Sequence, residues 1–433
     1  MLRILFIAII VVIGTFYALI SPFYGLMFYL WNAYFRPEEW IWWVDLRVLH
    51  LSWLIGVYVV FRTFLSAPDL RIGSRTVLIF LFLIQAVVGT LTSEHPVLSM
   101  SFLQDFFKVL LISYLIVVLV TDRWRLRTTL IVIALSLGFE CAKQGWVGTF
   151  RAPGARNDNT IAFLGDNNGV ALGTMMLVPI LGALAQTATR RWEKYAFRFV
   201  AVGVFLRGIT TYSRGGFVAA AVLGAFVFMR SERKMRALIG VVAIAALVFM
   251  VMPQQYWHRV NTITTNEEEM DESAAGRLHF WRIATEMARA KPLTGVGLNG
   301  FAASYATYDP AGGFGEQRQT HSTWFGVLAE LGLPGLMLFV ANLFMAIGSC
   351  WRVAREARGD PEKRDFGIYA NALIISLVVF ATGGSFLSSQ YNEMLWHLIG
   401  LSTALSVVAF SEVRATEPAA VPARPARPYA VAR

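Results

Sequence analysis

One histidine and two arginines in this sequence could do chemistry on an anionic substrate. His321 opens the segment HSTWFGVLAELGLPG, Arg214 lies in TYSRGGF, and Arg277 lies in SAAGRLHFW. An imidazole with an unperturbed pKa of about 6.5 can take up a proton near neutral pH, and guanidinium groups bind phosphate oxygens in a bidentate manner. Each of the three also has a plain explanation as an interfacial or solvated side chain. A site is indicated only if the fold places all three on one side.

A second group of polar residues is expected on the same side. The segment TFRAPGARNDNTIAFLGDNN supplies Arg151 and Arg156. Arg207, in GVFLRGITTY, is predicted to lie deeper in a span, where a charged side chain is costly and by default functional. We therefore count these arginines as candidates for binding the anion. The supporting candidates are Lys143, Asp166, Asn167, Asn168, Ser213, Trp281, Asn299 and Ser322, of which the segment 166–168 is predicted to lie a little inside the following span.

Other common kinds of active site are not indicated. Cys141 and Cys350 lie in apolar stretches and the histidines lack zinc-ligand spacing, so we expect no metal. No Walker, GxSxG or DxD pattern occurs, and we expect no cofactor. The glycines of PLTGVGLNGF have GxGxxG-type spacing, but no predicted strand precedes them. They are expected to allow close approach of the backbone to a ligand or to another segment.

The composition indicates a membrane protein. Hydrophobic types make up 56% of the 433 residues and charged types only 15%, whereas soluble domains carry about 25% charged residues. Lys and Arg exceed Asp and Glu by 38 to 28. In a membrane protein this excess indicates basic cytoplasmic loops and not nucleic-acid binding. The predicted fold is all-α and polytopic.

Eleven apolar runs after residue 45 are suitable for transmembrane helices. The joints between them alternate between strongly basic and weakly basic, so the positive-inside rule assigns the basic joints to the cytoplasm. Within the spans, Asp105 with Lys108 and Glu140 with Lys143 are spaced i,i+3 and are expected to form structural ion pairs; a proton or ion pathway is the alternative. The runs cover residues 46–65, 77–92, 97–121, 126–147, 161–186, 196–212, 215–229, 237–252, 323–351, 366–386 and 392–411.

The parity of the crossings predicts the position of the N-terminus. If residues 36–45 are outside and Met1 is inside, residues 1–35 must cross an odd number of times. We therefore predict a span over residues 2–19, and a short re-entrant or interfacial piece over residues 23–35 that is broken from the span at Pro22. The total is about twelve crossings with both termini inside.

The predicted organisation has four parts. Residues 1–252 contain the first group of transmembrane helices, 253–320 form a long external loop, 321–411 contain the C-terminal transmembrane helices, and 412–433 form a disordered cytoplasmic tail. The loop is expected to hold one helix that lies on the outer face of the membrane. This helix starts at Ser273 and ends near Lys291, and its predicted apolar stripe is Leu278, Trp281, Ala284 and Ala288.

Four motifs together resemble a known family. YSRGGF, the pattern S-x-x-GR-x-x-x-W over residues 273–281, KPLTGVGLNGF and HSTWFGVLAELGLPG follow one another in this order. They resemble the O-antigen ligase superfamily of lipid-linked oligosaccharide ligases and polymerases, over about residues 212–336. The segment AKQGWVGTFRAPGARNDNTIAFLGDNNGVAL resembles a branch described as predicted O-glycosylation ligases, although Gln144–Gly145 stand where that branch more often has paired glycines.

The resemblance implies a GT-C-like membrane enzyme of the bacterial inner membrane whose active site faces the periplasm. It implies transfer of a glycan from undecaprenyl diphosphate to an acceptor hydroxyl, such as lipid A-core sugar, among membrane lipids. In the family the histidine that heads the HS motif is the catalytic candidate, which is His321 here. The arginines of SRGG and GR-x-x-x-W, here Arg214 and Arg277, are implicated with the diphosphate. Direct displacement would be inverting and needs no metal.

Three alternatives remain open at this stage. A polymerase or a protein O-oligosaccharyltransferase of the same superfamily would use another acceptor, which the sequence does not reveal. A non-enzymatic lipid or glycan transporter is the alternative from a different class. Transport is less favoured because we find no inverted repeat and because the polar residues crowd one predicted face instead of the midplane.

Overall fold

The computed structural model describes residues 2–41, 51–66, 68–152, 155–231, 233–251, 272–310, 312, 315 and 318–416. Every regular element in these residues is a helix, which confirms the all-α class. A short 3₁₀ helix follows at Gly384–Phe386. The α-helices, numbered α1 to α16 in chain order, are Leu2–Ile20, Pro22–Phe35, Pro37–Trp40, Leu51–Leu65, Ser74–Leu91, Pro96–Leu119, Arg123–Arg151, Asn167–Gln186, Arg191–Ile209, Arg214–Arg230, Lys234–Val251, Glu272–Ala290, Phe301–Tyr308, Thr323–Glu356, Arg364–Gly383 and Glu393–Thr416.

Eight helices in the described residues are long and apolar enough to cross a membrane, namely α1, α5, α6, α7, α8, α14, α15 and α16. The protein is therefore a multi-pass membrane protein. Helices α4, α9, α10 and α11 fall on predicted spans but are not among the eight. The count of twelve crossings stays a prediction.

Basic joints between the helices contact one another at one end of the molecule, which we call the basic end. Arg123, at the start of α7, donates a hydrogen bond to the backbone oxygen of Glu362 at 2.9 Å. Arg127 pairs with Glu193 of α9 at 3.0 Å. The grouping of basic joints on one side, predicted from charge alone, is confirmed.

The weakly basic joints meet at the opposite end, which we call the His321 end. The backbone nitrogen of Glu94 donates to the backbone oxygen of Val296 at 3.1 Å, and the backbone nitrogen of Asn157 donates to the backbone oxygen of Thr210 at 2.8 Å. The hydroxyl groups of Thr320 and Ser388 lie 2.8 Å apart. Loops that are distant in sequence therefore form one continuous surface. That this end faces the periplasm stays a prediction.

The predicted path of the N-terminal residues is wrong. Arg62, in the last turn of α4 at the basic end, donates to the backbone oxygen of Leu19, so α1 ends there. Arg3 instead lies over the ring of Trp40, 5.2 Å from its centroid. Trp40 in turn donates to Glu140 in the second half of α7, towards the His321 end. Residues 3–40 thus run to the basic end and back, and the N-terminus starts towards the His321 end.

Helix α2 is not a superficial piece, and for this reason the predicted odd number of crossings is wrong. This 14-residue helix packs against α1, α4 and α7, and Phe23, Leu26 and Leu30 are at most 1% exposed. Ser21 caps its first turn and Pro22 fits the first helical position, where a backbone N–H is not needed. At about 1.5 Å per residue, α2 covers about 21 Å. Protein neighbours bury it over this length, so it does not need the apolar length of a lipid-exposed span.

Two predicted helix positions also need correction. The span predicted from residue 161 begins as α8 only at Asn167, because Ile161–Gly165 form a turn and Asp166 accepts a hydrogen bond from the Gly169 nitrogen at 2.8 Å. Asp166 and its neighbours therefore lie at the mouth of the span and not inside it. At the other end of the chain, α16 continues to Thr416, into the predicted tail, whose remaining residues lie outside the described part.

The helix predicted in the external loop is confirmed as α12, but its buried stripe is shifted. Its buried side chains include Phe280, Ile283, Ala284 and Met287, whereas Leu278 is 51% exposed. These residues pack against α13 and α14 instead of lying on a membrane surface. The two in-span ion pairs predicted from spacing are present, at 2.7 Å for Lys108–Asp105 and 3.0 Å for Lys143–Glu140.

The glycine-rich turn at residues 292–300 docks on a kink in α14. Gly332 leaves the helical conformation with φ 66°. The backbone nitrogen of the next residue, Leu333, donates to the backbone oxygen of Pro292 at 2.8 Å. A Cβ on Gly295 would lie 2.3 Å from the carbonyl carbon of Glu330, and one on Gly297 would lie 2.0 Å from the hydroxyl of Ser93. The glycines therefore serve close packing of backbone on backbone, one of the two functions expected of them.

Glu330 fixes this packing from inside the protein. Its carboxylate is 1% exposed and accepts hydrogen bonds from Gln390 at 3.0 Å, Tyr391 at 2.7 Å and the Phe301 nitrogen at 3.4 Å. A buried carboxylate is tolerated only when its oxygens are hydrogen-bonded in this way. One side chain thus connects α14, the start of α13 and the α15–α16 loop.

Cysteine labelling can test the revised N-terminal path. Cys141 and Cys350 are buried, so they should give little background. Leu2 and Leu293 are 84% and 69% exposed. If both lie at the His321 end, Leu2→Cys and Leu293→Cys should react with a membrane-impermeant maleimide from the same side of the membrane. Arg358→Cys, at the basic end, should react only from the other side. Reaction of Leu2→Cys together with Arg358→Cys would restore the odd number of crossings.

Removal of the Glu330 carboxylate should destabilise the protein. Glu330→Ala leaves three buried donors without an acceptor, at about 1–3 kcal/mol for each unsatisfied group, so the free energy of unfolding should fall by at least about 3 kcal/mol. The matched control is Glu286→Ala, which removes an exposed partner of Arg282. This substitution should change the free energy of unfolding by less than about 0.5 kcal/mol. Thermal unfolding in detergent measures both. Similar melting temperatures for the two variants would contradict the role assigned to Glu330.

Candidate active site

The N-termini of α8 and α10 meet at the His321 end. Ser213 caps α10, and its hydroxyl also donates to the side chain of Asn168, in the first turn of α8, at 2.8 Å. The close approach depends on small residues, since a Cβ on Gly216 would lie 2.6 Å from that of Ala171. Each helix N-terminus carries partial positive charge and backbone N–H groups without helical partners. Arg214 is the first residue of α10 and is half-buried beside this junction.

The N-terminus of α14 joins this junction through the short 3₁₀ segment after α15. A Cβ on Gly215 would lie 3.5 Å from that of Phe386, and one on Gly384 would lie 3.0 Å from the hydroxyl of Thr323. The hydroxyl of Thr323 also donates to the Leu387 backbone at 2.8 Å. Three helix N-termini therefore surround one region, and such an arrangement favours an anionic ligand.

Helix α12 packs beside the same region. Trp281 donates through its indole nitrogen to the backbone oxygen of Thr320 at 3.1 Å, and its ring stacks on Phe325 with a centroid distance of 5.2 Å. Arg277 lies one helical turn earlier, so it shares a face with Trp281. This docking places half-buried Arg277 beside the residue that heads the α14 segment.

That residue is His321, which is half-buried and has a left-handed backbone conformation with φ 47°. Its ring lies 6.0 Å from that of Phe280. Burial lowers the pKa of His321 below its ordinary value, and the nearby charges of Arg277 and Arg318 lower it further. Asp166 raises the pKa and opposes these effects in part. The imidazole is therefore neutral at pH 7 and can accept a proton.

Arg207 is fully buried and holds a loop in place. Its guanidinium donates to the side chain of Gln144 at 2.9 Å, to the backbone oxygen of Asn157 at 3.3 Å, and to that of Asn159. Glu140 orients Gln144 by accepting its amide hydrogen at 3.1 Å. Arg207 thus ties α7 and α9 to the loop that leads to Asp166. It positions the site, and its predicted contact with a diphosphate remains untested.

The remaining predicted residues divide between the site and its surroundings. Asn167 and Arg156 both bind Asp158 at 2.6 Å, which orders the loop before α8. Ser322 is buried as the first residue before α14, and Asn299 lies in the glycine-rich turn with φ 55°. Arg151 is exposed at the end of α7, and Lys143 is occupied by Glu140 and the ring of Trp40.

Two features of this region escaped the sequence reasoning. Arg318 is exposed three residues before His321 and influences its pKa. Asp309 accepts hydrogen bonds from Tyr305 at 2.6 Å and His279 at 2.8 Å, and these bonds hold its pKa below the ordinary value. Arg318 could have been selected as a cation close to His321. The Asp309 cluster has no sequence signal, because its members come together only when α13 folds back on α12.

Comparison with known families agrees with this geometry. Residues 199–340 match the family described as O-antigen ligase. This region belongs to the O-antigen ligase family. The matched residues run from α9 into α14 and contain Arg207, Arg214, Arg277 and His321, so the resemblance drawn from the four motifs is confirmed. Residues 1–185 match a family of unknown function, DUF5935, and no curated protein matches the chain.

Membership of the O-antigen ligase family implies a membrane enzyme that transfers glycosyl groups, of the ligase or polymerase kind. Proteins of this family act on lipid-linked glycans and on acceptors in the membrane. The family match covers residues 253–320 and the helices on either side of them. The helix N-termini of α10 and α14 and the loop helix α12 all lie within this O-antigen ligase region.

The pH dependence of glycosyl transfer should report the charge around His321. A base must be unprotonated, so kcat/KM should fall as the pH drops through a pKa below about 6.5. Arg318→Gln removes one of the causes that lower this pKa. The acidic limb of the profile should therefore move to higher pH.

The matched control is Arg282→Gln, which removes an exposed arginine of α12 that is paired with Glu286 at 3.1 Å. Its acidic limb should coincide with that of the wild type. The coupling between Arg318 and His321 is refuted by equal limbs in all three proteins, or by a shift of the Arg318→Gln limb to lower pH.

Proposed function

We propose that this protein transfers a glycan from undecaprenyl diphosphate to an acceptor hydroxyl, as an O-antigen ligase acting at the periplasmic face of the inner membrane. The observation that carries the proposal is the position of a neutral imidazole, His321, beside Arg277 in a region bounded by three helix N-termini. This region combines a base with a large amount of fixed positive charge. Transfer from a lipid diphosphate needs both.

The chemistry follows from these groups. His321 accepts the proton of the acceptor hydroxyl while the acceptor oxygen forms a bond to the anomeric carbon of the donor sugar. The bond from that carbon to the diphosphate oxygen breaks, and the diphosphate leaves with the bonding electrons. Arg214 and Arg277 hold its oxygens by bidentate hydrogen bonds, and the N-termini of α8, α10 and α14 stabilise the departing charge. A single displacement inverts the anomeric carbon and requires no metal.

The alternatives within the superfamily share the same donor and the same departure of the diphosphate, and they differ in the acceptor. A polymerase would present the hydroxyl of another lipid-linked repeat unit, and a protein O-oligosaccharyltransferase would present a protein hydroxyl. We favour the ligase with a lipid A-core acceptor because the matched family is described as O-antigen ligase. A transporter without chemistry is less favoured, since a shielded imidazole between cations has no role in moving a lipid.

The test uses purified protein, an undecaprenyl-diphosphate glycan, and separate lipid A-core, protein and glycan acceptors. We expect a single transfer to lipid A-core in the presence of EDTA. A ladder of products would indicate a polymerase, and modification of the protein acceptor an oligosaccharyltransferase. Absence of transfer to every acceptor, with donor binding retained, would contradict the enzyme proposal.

The role of His321 needs a substitution that suits its backbone. Asn tolerates the left-handed conformation and cannot act as a base at neutral pH, so His321→Asn should fold and bind donor but lose transfer by about 10²–10⁴-fold. The control is His95→Ala, because His95 precedes α6 and makes no side-chain cap bond. Full transfer by His321→Asn would remove the base from the mechanism.

A further inference from the structure

A polar cavity of about 340 Å³ lies at the basic end, opposite the candidate active site. Its wall combines the turn between α1 and α2, the connection from α4 to α5, and the junction of α6 and α7. This volume falls within the range of small-molecule sites, roughly 300–1,000 Å³. The polar residues that line it are Ser21, Ser66, Asp69, Arg71, Thr121 and Arg125.

Two arginines are fixed at the cavity wall. Arg71 donates through one terminal nitrogen to the backbone oxygens of Val117 and Val120, at 3.3 and 3.2 Å. Arg125 donates through a terminal nitrogen to the Leu119 oxygen at 3.0 Å. Both guanidinium groups are thereby held on the last turn of α6. A guanidinium has five N–H donors, so these bonds leave each group with donors for a ligand.

The backbone of Arg71 supports a role beyond capping α6. Its φ is 46°, in the left-handed region where glycine is favoured and bulky residues are uncommon. Arg125 already bonds one carbonyl of the same turn. An arginine held in this conformation adds a second fixed cation that helix capping alone does not require.

The carboxylates nearby are occupied by local bonds. Asp69 accepts the backbone N–H of Arg71 at 3.1 Å, and Asp122 accepts that of Arg125 at 2.9 Å. Asp122 also pairs with the Arg125 side chain at 3.3 Å. Arg62 adds a further positive charge beside Ser66, whose hydroxyl donates to its backbone oxygen at 2.8 Å. The capped N-termini of α2 and α7 contribute partial positive charge.

Exposed apolar residues directly precede or follow several of the residues that line the cavity, which favours a lipid over a free anion. Leu19 and Ile20 end α1 with 58% and 56% exposure, Leu65 ends α4 with 61%, and Ile72 is 67% exposed. Trp124, next to Arg125 in the sequence, is 55% exposed, and aromatic residues are common at a membrane interface. A cavity lined by polar residues, with exposed apolar residues next to them at the end of membrane-spanning helices, matches a headgroup with its acyl chains alongside.

We propose that this cavity binds the headgroup of an anionic membrane phospholipid, with its phosphate at Arg71 and Arg125. Basic pockets between transmembrane helices bind such headgroups through the same kind of contact. This site is separate from the region around His321, and the proposal does not depend on glycosyl transfer.

Native mass spectrometry of the purified full-length protein can test the proposal. Dioleoyl phosphatidylglycerol, dioleoyl phosphatidylcholine and inorganic phosphate are titrated separately. The wild type should bind phosphatidylglycerol in preference to phosphatidylcholine, and phosphate should not displace it. Arg71→Gln with Arg125→Gln should weaken phosphatidylglycerol binding by at least about tenfold, because charged hydrogen bonds are lost.

The matched control is Arg123→Gln, since Arg123 lies two residues from Arg125 but donates to Glu362 and lies over the ring of Phe366. It should bind phosphatidylglycerol as the wild type does. If the double variant fails to fold, Ser66→Phe decides, because it fills the cavity and leaves both guanidinium groups in place. The proposal is overturned if the folded double variant or Ser66→Phe binds phosphatidylglycerol as the wild type does. It is also overturned if the wild type binds phosphatidylcholine as well as phosphatidylglycerol, or if inorganic phosphate displaces phosphatidylglycerol.

Discussion

Buried charged side chains that hydrogen-bond to non-helical backbone hold the candidate site together. Inside a membrane protein each irregular segment must find partners for its N–H and C=O groups within the protein. Arg207 supplies donors to the carbonyls of residues 157 and 159, and Glu330 supplies an acceptor to the start of α13. Each charge would be costly alone, and each loop would lack partners alone. Together they fix the loop before α8 and the glycine-rich turn.

These two fixed segments explain how chemistry is arranged at one end of the protein. The loop held by Arg207 leads into the N-terminus of α8, which contacts that of α10 through Ser213. The turn held by Glu330 connects α12, which bears Arg277, to α13 and α14. Burial lowers the pKa of His321, and the charges of Arg277 and Arg318 lower it further, so the imidazole stays neutral. The same charge that would hold a departing diphosphate therefore also prepares the proposed base.

The two ends of the protein use arginine differently. At the His321 end, Arg277 is held by the docking of α12, and Arg207 acts entirely within the protein. At the basic end, Arg71 and Arg125 bind the carbonyls at the end of α6 and line a cavity whose sequence neighbours include exposed apolar residues. The first arrangement suits an anion that reacts and leaves, whereas the second suits a lipid that stays. Positive charge in the sequence thus indicates topology in some joints and binding in others.

The sequence alone determined the helical class, most helix positions, the grouping of loops at two ends and the family, because apolar length, basic joints and local motifs are properties of contiguous residues. It also identified the i,i+3 ion pairs and α12, which depend on spacing along one helix. Tertiary structure decided the rest. The path of α1 and α2 depends on burial of a short helix by its neighbours, and the buried face of α12 depends on which partner it packs against. The role of Arg207, the hydrogen bonds of Glu330 and the Asp309 cluster join residues far apart in sequence, so spacing could not reveal them.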